Sequence, residues 1–213
     1  MGTAAVAIVF RGLTPPFLFV HGDPSETNEV LHGLPQGRYQ YSLLGAHHSQ
    51  LHARLHPSTE LHMWRMVLRP GLFPSERPAD ADRLGPRDLR ALLELFGDHP
   101  DRPDSFVPVQ LEAGVFFGVR EDGQLVAAAG THVVAERPSV AAIGSVFTRP
   151  DRRGQGLAGR ASTAVVRTLM ERKLETIVLN VAMDNGPALH LYRALGFWPF
   201  CGYYEGIGEI TAA

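Results

Sequence analysis

The part of the chain with the most evident chemistry is a glycine-rich run, Arg152-Arg153-Gly154-Gln155-Gly156-Leu157-Ala158-Gly159. It lies between an apolar stretch of β character and the first turn of an amphipathic helix. The first N–H groups of a helix have no intrahelical acceptor and carry the positive end of the helix dipole. Because glycines let a pyrophosphate approach these groups, the run predicts a phosphate-binding loop, to which Arg152 or Arg153 adds charge-assisted contacts.

Two other phosphate-binding motifs are disfavoured by the residues around this run. The spacing Gly154-x-Gly156-x-x-Gly159 matches the dinucleotide fingerprint. Residues 149–153, however, separate the first glycine from the preceding strand, whereas a dinucleotide turn follows its strand directly. No acidic residue closes the next predicted strand, at 176–181, to bind a ribose. A P-loop is excluded because no Lys-Ser or Lys-Thr pair follows the glycines.

Two motifs in order resemble those of the GNAT acyltransferase superfamily. Arg153-x-x-Gly156-x-Ala158, after Val146-Phe147-Thr148, is similar to the acyl-CoA-binding motif of that family. Downstream, Asn185, Tyr192 and Leu195-Gly196-Phe197 resemble its second motif. The resemblance covers roughly residues 80–204. Within it, the pattern Thr-x-Pro-x-x-Arg-x-x-Gly-Leu, which begins at Thr148, is similar to that of the glycine-N-acyltransferase-like subgroup.

This resemblance implies a fold, a cosubstrate and a reaction. The fold is mixed α/β, with a central mixed sheet flanked by helices. The cosubstrate is acetyl-CoA or another acyl-CoA, and the acyl group passes directly to a primary amine of a small molecule or amino acid. The residues that would hold the cosubstrate are Val146, Phe147, Thr148, Arg152, Arg153, Gly154, Gln155, Gly156, Leu157, Ala158, Gly159, Asn185 and Tyr192.

The resemblance also assigns roles in the chemistry. Backbone amides at 146–148 are the expected oxyanion donors, where the strand splays from its neighbour, and Gly144 just upstream could mark the distortion. Tyr192 is the expected general acid, since a phenol of pKa about 10 is protonated at neutral pH; the alternative is a tyrosine that only packs its ring. Asn185 contacts the pantetheine arm, caps the following helix, or does both.

The general base stays open at this level. The strand at 139–148 carries no carboxylate, although many members of the family place a glutamate there. Ser145 could hold a water instead. The conceivable bases elsewhere are His132, Glu136, Glu112 and Glu205.

Two further features suggest other chemistry. His48, His52 and His56 recur at four-residue spacing, which could chelate a metal on one helix face. Pro57 would end that helix and no acidic ligand is adjacent, so we expect no metal. Cys201 follows Trp198-Pro199-Phe200 with no histidine nearby, which favours a buried apolar thiol over a nucleophile.

Composition limits the class of protein. A net charge of −2 over 213 residues offers no field to hold nucleic acid. The apolar stretch Gly2–Phe10 is about half a membrane span and lacks the features of a signal peptide. A single cysteine suits the cytoplasm. We therefore expect a cytoplasmic enzyme without membrane or nucleic-acid partners, either monomeric or homodimeric.

A Pro-rich connector from Arg69 to Pro86 divides the predicted elements. We expect residues 1–75 to form a partial, degenerate GNAT-like segment and residues 76–213 to form the acyl-CoA-binding catalytic domain. Before the connector the patterns predict strands at 4–10, 17–20 and 62–68 and helices at 25–32 and 39–55. After it they predict helices at 86–96, 154–172 and 187–195 and strands at 115–120, 125–134, 139–148, 177–181 and 200–206.

The same patterns leave two rival functions. One is a longer-chain or aryl acyl-CoA:amino acid N-acyltransferase, which the subgroup likeness implies. The other is a non-catalytic acyl-CoA-binding regulator, which the missing strand glutamate suggests.

Overall fold

The structure, a computed structural model, describes residues 5–103 and 106–211 and forms two compact units. The first comprises the described residues of Met1–Arg65, Val181–Asn185 and Pro199–Ala213, and the second comprises those of Met66–Asn180 and Gly186–Trp198. The predicted boundary after residue 75 differs from this division, because C-terminal residues belong to the first unit. That residues 1–75 are a degenerate copy of the fold stays a prediction.

The first unit is built on strands β1 (Val6–Phe10), β2 (Phe17–His21) and β3 (Gly37–Leu44) and the C-terminal part of β10 (Phe197–Ile210). They pair in the order β1-β2-β3-β10, with β2 and β3 parallel and the other pairs antiparallel. Helices α1 (Thr27–His32) and α2 (Gly45–His52) belong to this unit, and β4 (Leu55–Leu68) begins in it. The predicted strand beginning at Ala4 starts outside the described residues.

The predicted helix over 39–55 is wrong in its first part. Tyr39, Tyr41 and Leu43 alternate with half-buried residues, so the stretch forms β3 with every second side chain in the core. The core also takes in Leu18, Leu51 and Ile210. Since β3 and β10 pair from Tyr203↔Leu44 to Ile210↔Gly37, the N-terminal strands share one core with the C-terminus.

The second unit carries the predicted catalytic region. Its strands are β5 (Asp82–Leu84), β6 (Phe116–Glu121), β7 (Gln124–Ala135), β8 (Val140–Thr148) and β9 (Thr176–Ala182), which ends in the first unit. They pair in the order β9-β8-β7-β6-β5, with β8 and β9 parallel and the rest antiparallel. The predicted hairpin at Asp122-Gly123 is confirmed, since Glu121 pairs with Gln124.

Four helices accompany this sheet: α3 (Leu89–Phe96), α4 (Val109–Ala113), α5 (Leu157–Glu171) and α6 (Gly186–Ala194). Leu92, Leu95 and Phe96 of α3 pack with Phe116 and Phe147 of the sheet. Helix α5 packs against β6, β7 and β8. The expected mixed sheet flanked by helices is therefore confirmed.

The Pro-rich connector is held on α5 by arginine side chains. Arg160 Nη2 donates to the carbonyl of Asp80 (2.8 Å), and Arg167 Nη2 donates to the carbonyls of Ser75 (2.9 Å) and Arg77 (3.0 Å). These hydrogen bonds satisfy main-chain carbonyl groups of the connector, which the prolines keep out of regular β-sheet pairing. The connector is therefore attached to the helix that follows the predicted phosphate loop.

Candidate active site

A cavity of about 200 Å³ opens in the second unit, beside the carboxyl-terminal half of β8. Its walls include His132 of β7, Ser145 and Val146 of β8, and Tyr192 of α6. Two consecutive strands and a helix that follows much later in the chain thus place titratable and main-chain groups around one space. This is the arrangement expected of a reaction site.

Strand β8 leaves the regular sheet at this point. Its pairing with β9 ends at Ile143↔Leu179. On the other side, Gly130↔Gly144 is followed by Ala128↔Phe147, so Ser145 and Val146 together face one residue of β7 in a β-bulge. Ser145 has a φ of +50°, which is uncommon for a residue with a side chain. The bulge thus lies at Ser145 and Val146, whereas the expected splay covered 146–148, where Phe147 and Thr148 pair with β7.

His132 owes its position to a second bulge and to a glycine. The register between β7 and β8 shifts from Thr131↔Ile143 to Val133↔Ala142, so His132 has no opposite residue. A Cβ added to Gly144 would overlap its imidazole ring. Gly144 therefore makes room for His132, whose ring lies against the β8 backbone. Burial lowers the pKa of the His132 imidazole, so the ring is neutral at pH 7.

Two buried hydroxyls along β8 are suited to binding a polar ligand. Among the described residues, neither Ser145 Oγ nor Thr148 Oγ1 has a hydrogen-bond partner. Leaving a buried hydroxyl without a partner costs about 1 to 3 kcal/mol. A polar arm of a cosubstrate lying along β8 would remove that cost, so these atoms fit the pantetheine contacts expected there.

Tyr192 contributes a protonated phenol to the cavity. The residue is 7% exposed, and its ring meets that of Phe197 edge-on at 6.2 Å between centroids. Burial raises the pKa of Tyr192 to about 12. The hydroxyl therefore keeps its proton at any physiological pH, as a general acid must before the reaction.

The glycine-rich loop precedes α5 as an open turn. Gly154 (φ +77°) and Gly156 (φ +74°) take the left-handed conformation, and a Cβ on either would meet open space. Gly156 occupies the N-cap, and the first helical bond runs from Arg160 N to Gly156 O (3.1 Å). The N–H groups of Leu157, Ala158 and Gly159 thus come before the first helical hydrogen bond and have no acceptor within the helix, as an anion site requires. The helix begins later than predicted because of these two conformations.

The two arginines of the loop already have carboxylate partners. Arg152 Nε donates to Glu121 Oε2 (2.8 Å), and Arg153 Nη2 pairs with Asp101. Arg153 Nε also donates to the carbonyl of Thr148 (3.1 Å). Contact with a pyrophosphate would therefore require an exchange of partners, which is most direct for Arg153 because its side chain is half exposed.

The remaining predicted site residues have less definite positions. Phe147 and Leu157 are buried, so only their main chains could meet a ligand, and Gln155 is exposed. Asn185 is exposed, immediately precedes α6 and belongs to the first unit, so its role stays a prediction. Cys201 is half-buried rather than fully buried.

The structure separates the four candidate bases. His132 lines the cavity, whereas Glu112 and Glu136 are exposed and are not among its walls. Glu205 lies in the first unit, where it accepts a hydrogen bond from Tyr203 (2.9 Å).

Asp101 and Asn180 also line the cavity and were missed. Asn180 had a sequence signal, as a polar residue within the apolar strand β9. Asp101 lies between α3 and α4 and belongs to no motif.

Replacing Gly156 by Asp should weaken CoA binding by at least tenfold, or about 1.4 kcal/mol. The carboxylate would repel the pyrophosphate and occupy the open space beside the helix amides. The matched control is Gly156→Asn, which has the same size without the charge and tolerates the left-handed conformation. Calorimetric titration with CoA is the measurement. Equal CoA affinities for the Asp variant and the wild-type protein would contradict the site.

Comparison with known proteins identifies the class to which this fold and cavity belong. The profile of the Acetyltransferase (GNAT) family matches residues 87–197, which contain the glycine-rich loop, the distorted strand and Tyr192. The chain therefore belongs to the GNAT acetyltransferase family. No helix among the described residues has the length and apolar character needed to cross a membrane.

Two curated relatives have a name more specific than that of the family. A mycothiol acetyltransferase of Tsukamurella paurometabola is 33% identical over an alignment of 135 residues that covers 53% of this chain and 46% of that protein. One from Rhodococcus opacus is 34% identical over an alignment of 129 residues that covers 54% of this chain and 42% of the relative. The chain spans less than half the length of these curated relatives.

Among solved structures, a GCN5-related N-acetyltransferase from Kribbella flavida aligns with a TM-score of 0.71 at 18% sequence identity. The alignment covers 100% of this chain and 89% of the Kribbella flavida chain. That likeness shows the fold.

Proposed function

We propose that this protein transfers an acetyl group from acetyl-CoA directly to a primary amine of a small molecule. The observation that carries the proposal is the cavity lined by a neutral histidine, a protonated tyrosine and the bulge of β8. Direct transfer of an acetyl group to an amine needs a base for the ammonium, a donor for the oxyanion and an acid for the thiolate.

His132 is the base in this proposal. An amine is an ammonium ion at pH 7 and attacks a carbonyl only after it loses a proton. The neutral imidazole accepts that proton, directly or through a water that Ser145 holds. Because burial lowers the pKa of His132, the ring is ready to accept a proton without prior deprotonation.

Main-chain groups of β8 serve as the oxyanion donors. The bulge at Ser145 and Val146 turns this stretch away from regular pairing and towards the cavity. An amide there would donate to the carbonyl oxygen as negative charge develops on it, which stabilises the transition state without reorganisation.

Tyr192 then protonates the leaving sulfur. The phenol, of pKa about 12, is a weaker acid than a thiol of pKa about 8.5, so in water this transfer would be uphill. The cavity reduces the difference, because burial makes a thiolate more basic as well. As the C–S bond breaks, the attacking nitrogen releases its surplus proton, which restores Tyr192, and the proton held by His132 leaves to solvent.

The size of the cavity favours acetyl over a longer acyl group. About 200 Å³ is less than the roughly 300 to 1,000 Å³ typical of drug-sized ligand sites. Such a space suits a two-carbon acyl group and the amine end of an acceptor. It gives no support to the long-chain or aryl alternative that the subgroup likeness suggests.

The acceptor is proposed from the relatives alone. Their name, mycothiol acetyltransferase, supports a small-molecule acceptor of the kind those enzymes use. The single cysteine, Cys201, supports a reducing cytoplasm as the place of the reaction.

An acyl-donor competition tests the function. The protein is supplied with acetyl-, octanoyl- and benzoyl-CoA together with a panel of small primary amines and amino acids, and products are measured by mass spectrometry. We expect acetylated amines at the highest kcat/KM. Preferred use of octanoyl- or benzoyl-CoA would support the longer-chain enzyme, and CoA binding without any product would support the regulator.

A further inference from the structure

Three side chains of the first unit converge on one point of its surface. His48 Nε2 lies 2.9 Å from Glu60 Oε1, and His52 Nε2 lies 3.0 Å from Glu60 Oε2. One nitrogen from each histidine and one carboxylate oxygen all lie within 4.8 Å of one another. Both histidine nitrogens therefore face the same carboxylate, and all three residues belong to the unit that does not contain the cavity described above.

Secondary structure explains this convergence. His48 and His52 are four residues apart on α2, so their side chains lie on one face of the helix. Glu60 lies on β4, which follows α2 after a short turn and brings the carboxylate back beside that face. The acidic residue that is absent next to the histidines in the sequence is thus supplied by the neighbouring strand.

The three groups are held in place by residues behind them. The buried Tyr41 donates its hydroxyl to Glu60 Oε2 at 2.5 Å. The ring of Tyr204 stacks on His48 with centroids 3.7 Å apart. Metal-binding carboxylates and imidazoles are usually oriented by partners of this kind, which reduce the entropy lost on binding.

We propose that His48, His52 and Glu60 form a binding site for a divalent transition-metal ion, and that the ion is zinc. Two imidazole nitrogens and a carboxylate oxygen are a common zinc donor set. Zinc would bind at the two Nε2 atoms that now contact Glu60, and any proton on those atoms would move to Nδ1 of the same ring or to solvent. Bonds of about 2.0 to 2.2 Å place tetrahedral ligands about 3.4 Å apart, which these side chains reach by small movements.

Solvent access leaves room for a fourth ligand. The side chains of His48, His52 and Glu60 are 25%, 35% and 22% exposed. A water molecule completes the tetrahedron from this open side. The bound ion cross-links α2 to β4 and stabilises the first unit, independently of acetyl transfer.

Calorimetric titration of the untagged full chain, freed of metal with a chelator, with zinc chloride tests this site. We expect one zinc ion per chain and a rise in Tm with zinc. In His52→Gln and in Glu60→Gln the Kd should increase at least tenfold. Because the chain has ten histidines, His56→Gln is the matched control: this exposed residue of β4 lies outside the cluster, and its replacement should leave the Kd within twofold.

Cobalt(II) provides an independent readout. The wild-type protein and His56→Gln should give the visible absorption of a low-symmetry cobalt site, and the two cluster variants should not. His52→Gln keeps the bond between Tyr41 and Glu60, so it remains informative if Glu60→Gln fails to fold. The proposal is overturned if wild-type protein binds no zinc, or if His52→Gln binds it as tightly as His56→Gln does.

Discussion

Replacing Tyr192 by Phe is expected to lower kcat by about 100-fold or more, because general acid catalysis contributes that much when the donor is lost. The ring is buried and meets Phe197 edge-on, and Phe keeps both features. The affinity for CoA should therefore stay near that of the wild-type protein. Steady-state kinetics and a CoA titration on the same preparations separate the two effects.

A matched control shows whether a fall in kcat is specific to the tyrosine of the cavity. Tyr39 is also buried, and its hydroxyl donates to the carbonyl of Pro35 (2.9 Å) in the first unit. Tyr39→Phe removes a buried hydroxyl without touching the proposed site, so kcat should not change. If Tyr192→Phe is as active as Tyr39→Phe, then Tyr192 only packs its ring.

Replacing His132 by Gln is expected to lower kcat/KM for an amine about 100-fold at pH 7. In the wild-type protein the pKa of His132 lies below its ordinary value of about 6.5. The neutral base is thus present above that pKa, and activity should fall only as the pH drops through it. Without the base, the amine must lose its proton in solution.

The pH profile distinguishes a base from a structural residue. In His132→Gln, kcat/KM should rise about tenfold per pH unit towards the pKa of the acceptor, about 8 to 10 for α-amino and alkyl amines. A packing defect would lower the whole profile without moving it. His190→Gln, which changes an exposed histidine of α6, is the control. A wild-type profile in His132→Gln would remove this residue from the mechanism.

Local patterns in the sequence were sufficient for the class of protein and for part of the site. The glycines before a helix, the alternation of strands and the Asp122-Gly123 turn each depend on neighbouring residues, and the structure has the loop, the sheet and the hairpin they predict. Tyr192 followed from a short motif on α6, and the structure places it in the cavity.

Other features depend on residues far apart in the chain. His132 became distinct from the other candidate bases only when a bulge in β7 and the missing side chain of Gly144 brought its ring to the cavity. Glu60 met His48 and His52 only because β4 returns beside α2. Sequence periodicity specifies which face a side chain occupies, but strand register and bulges decide which groups meet across strands. The sequence by itself thus determined the family and the glycine-rich turn before α5, and the tertiary structure decided which residues lie together in the cavity and in the cluster of His48, His52 and Glu60.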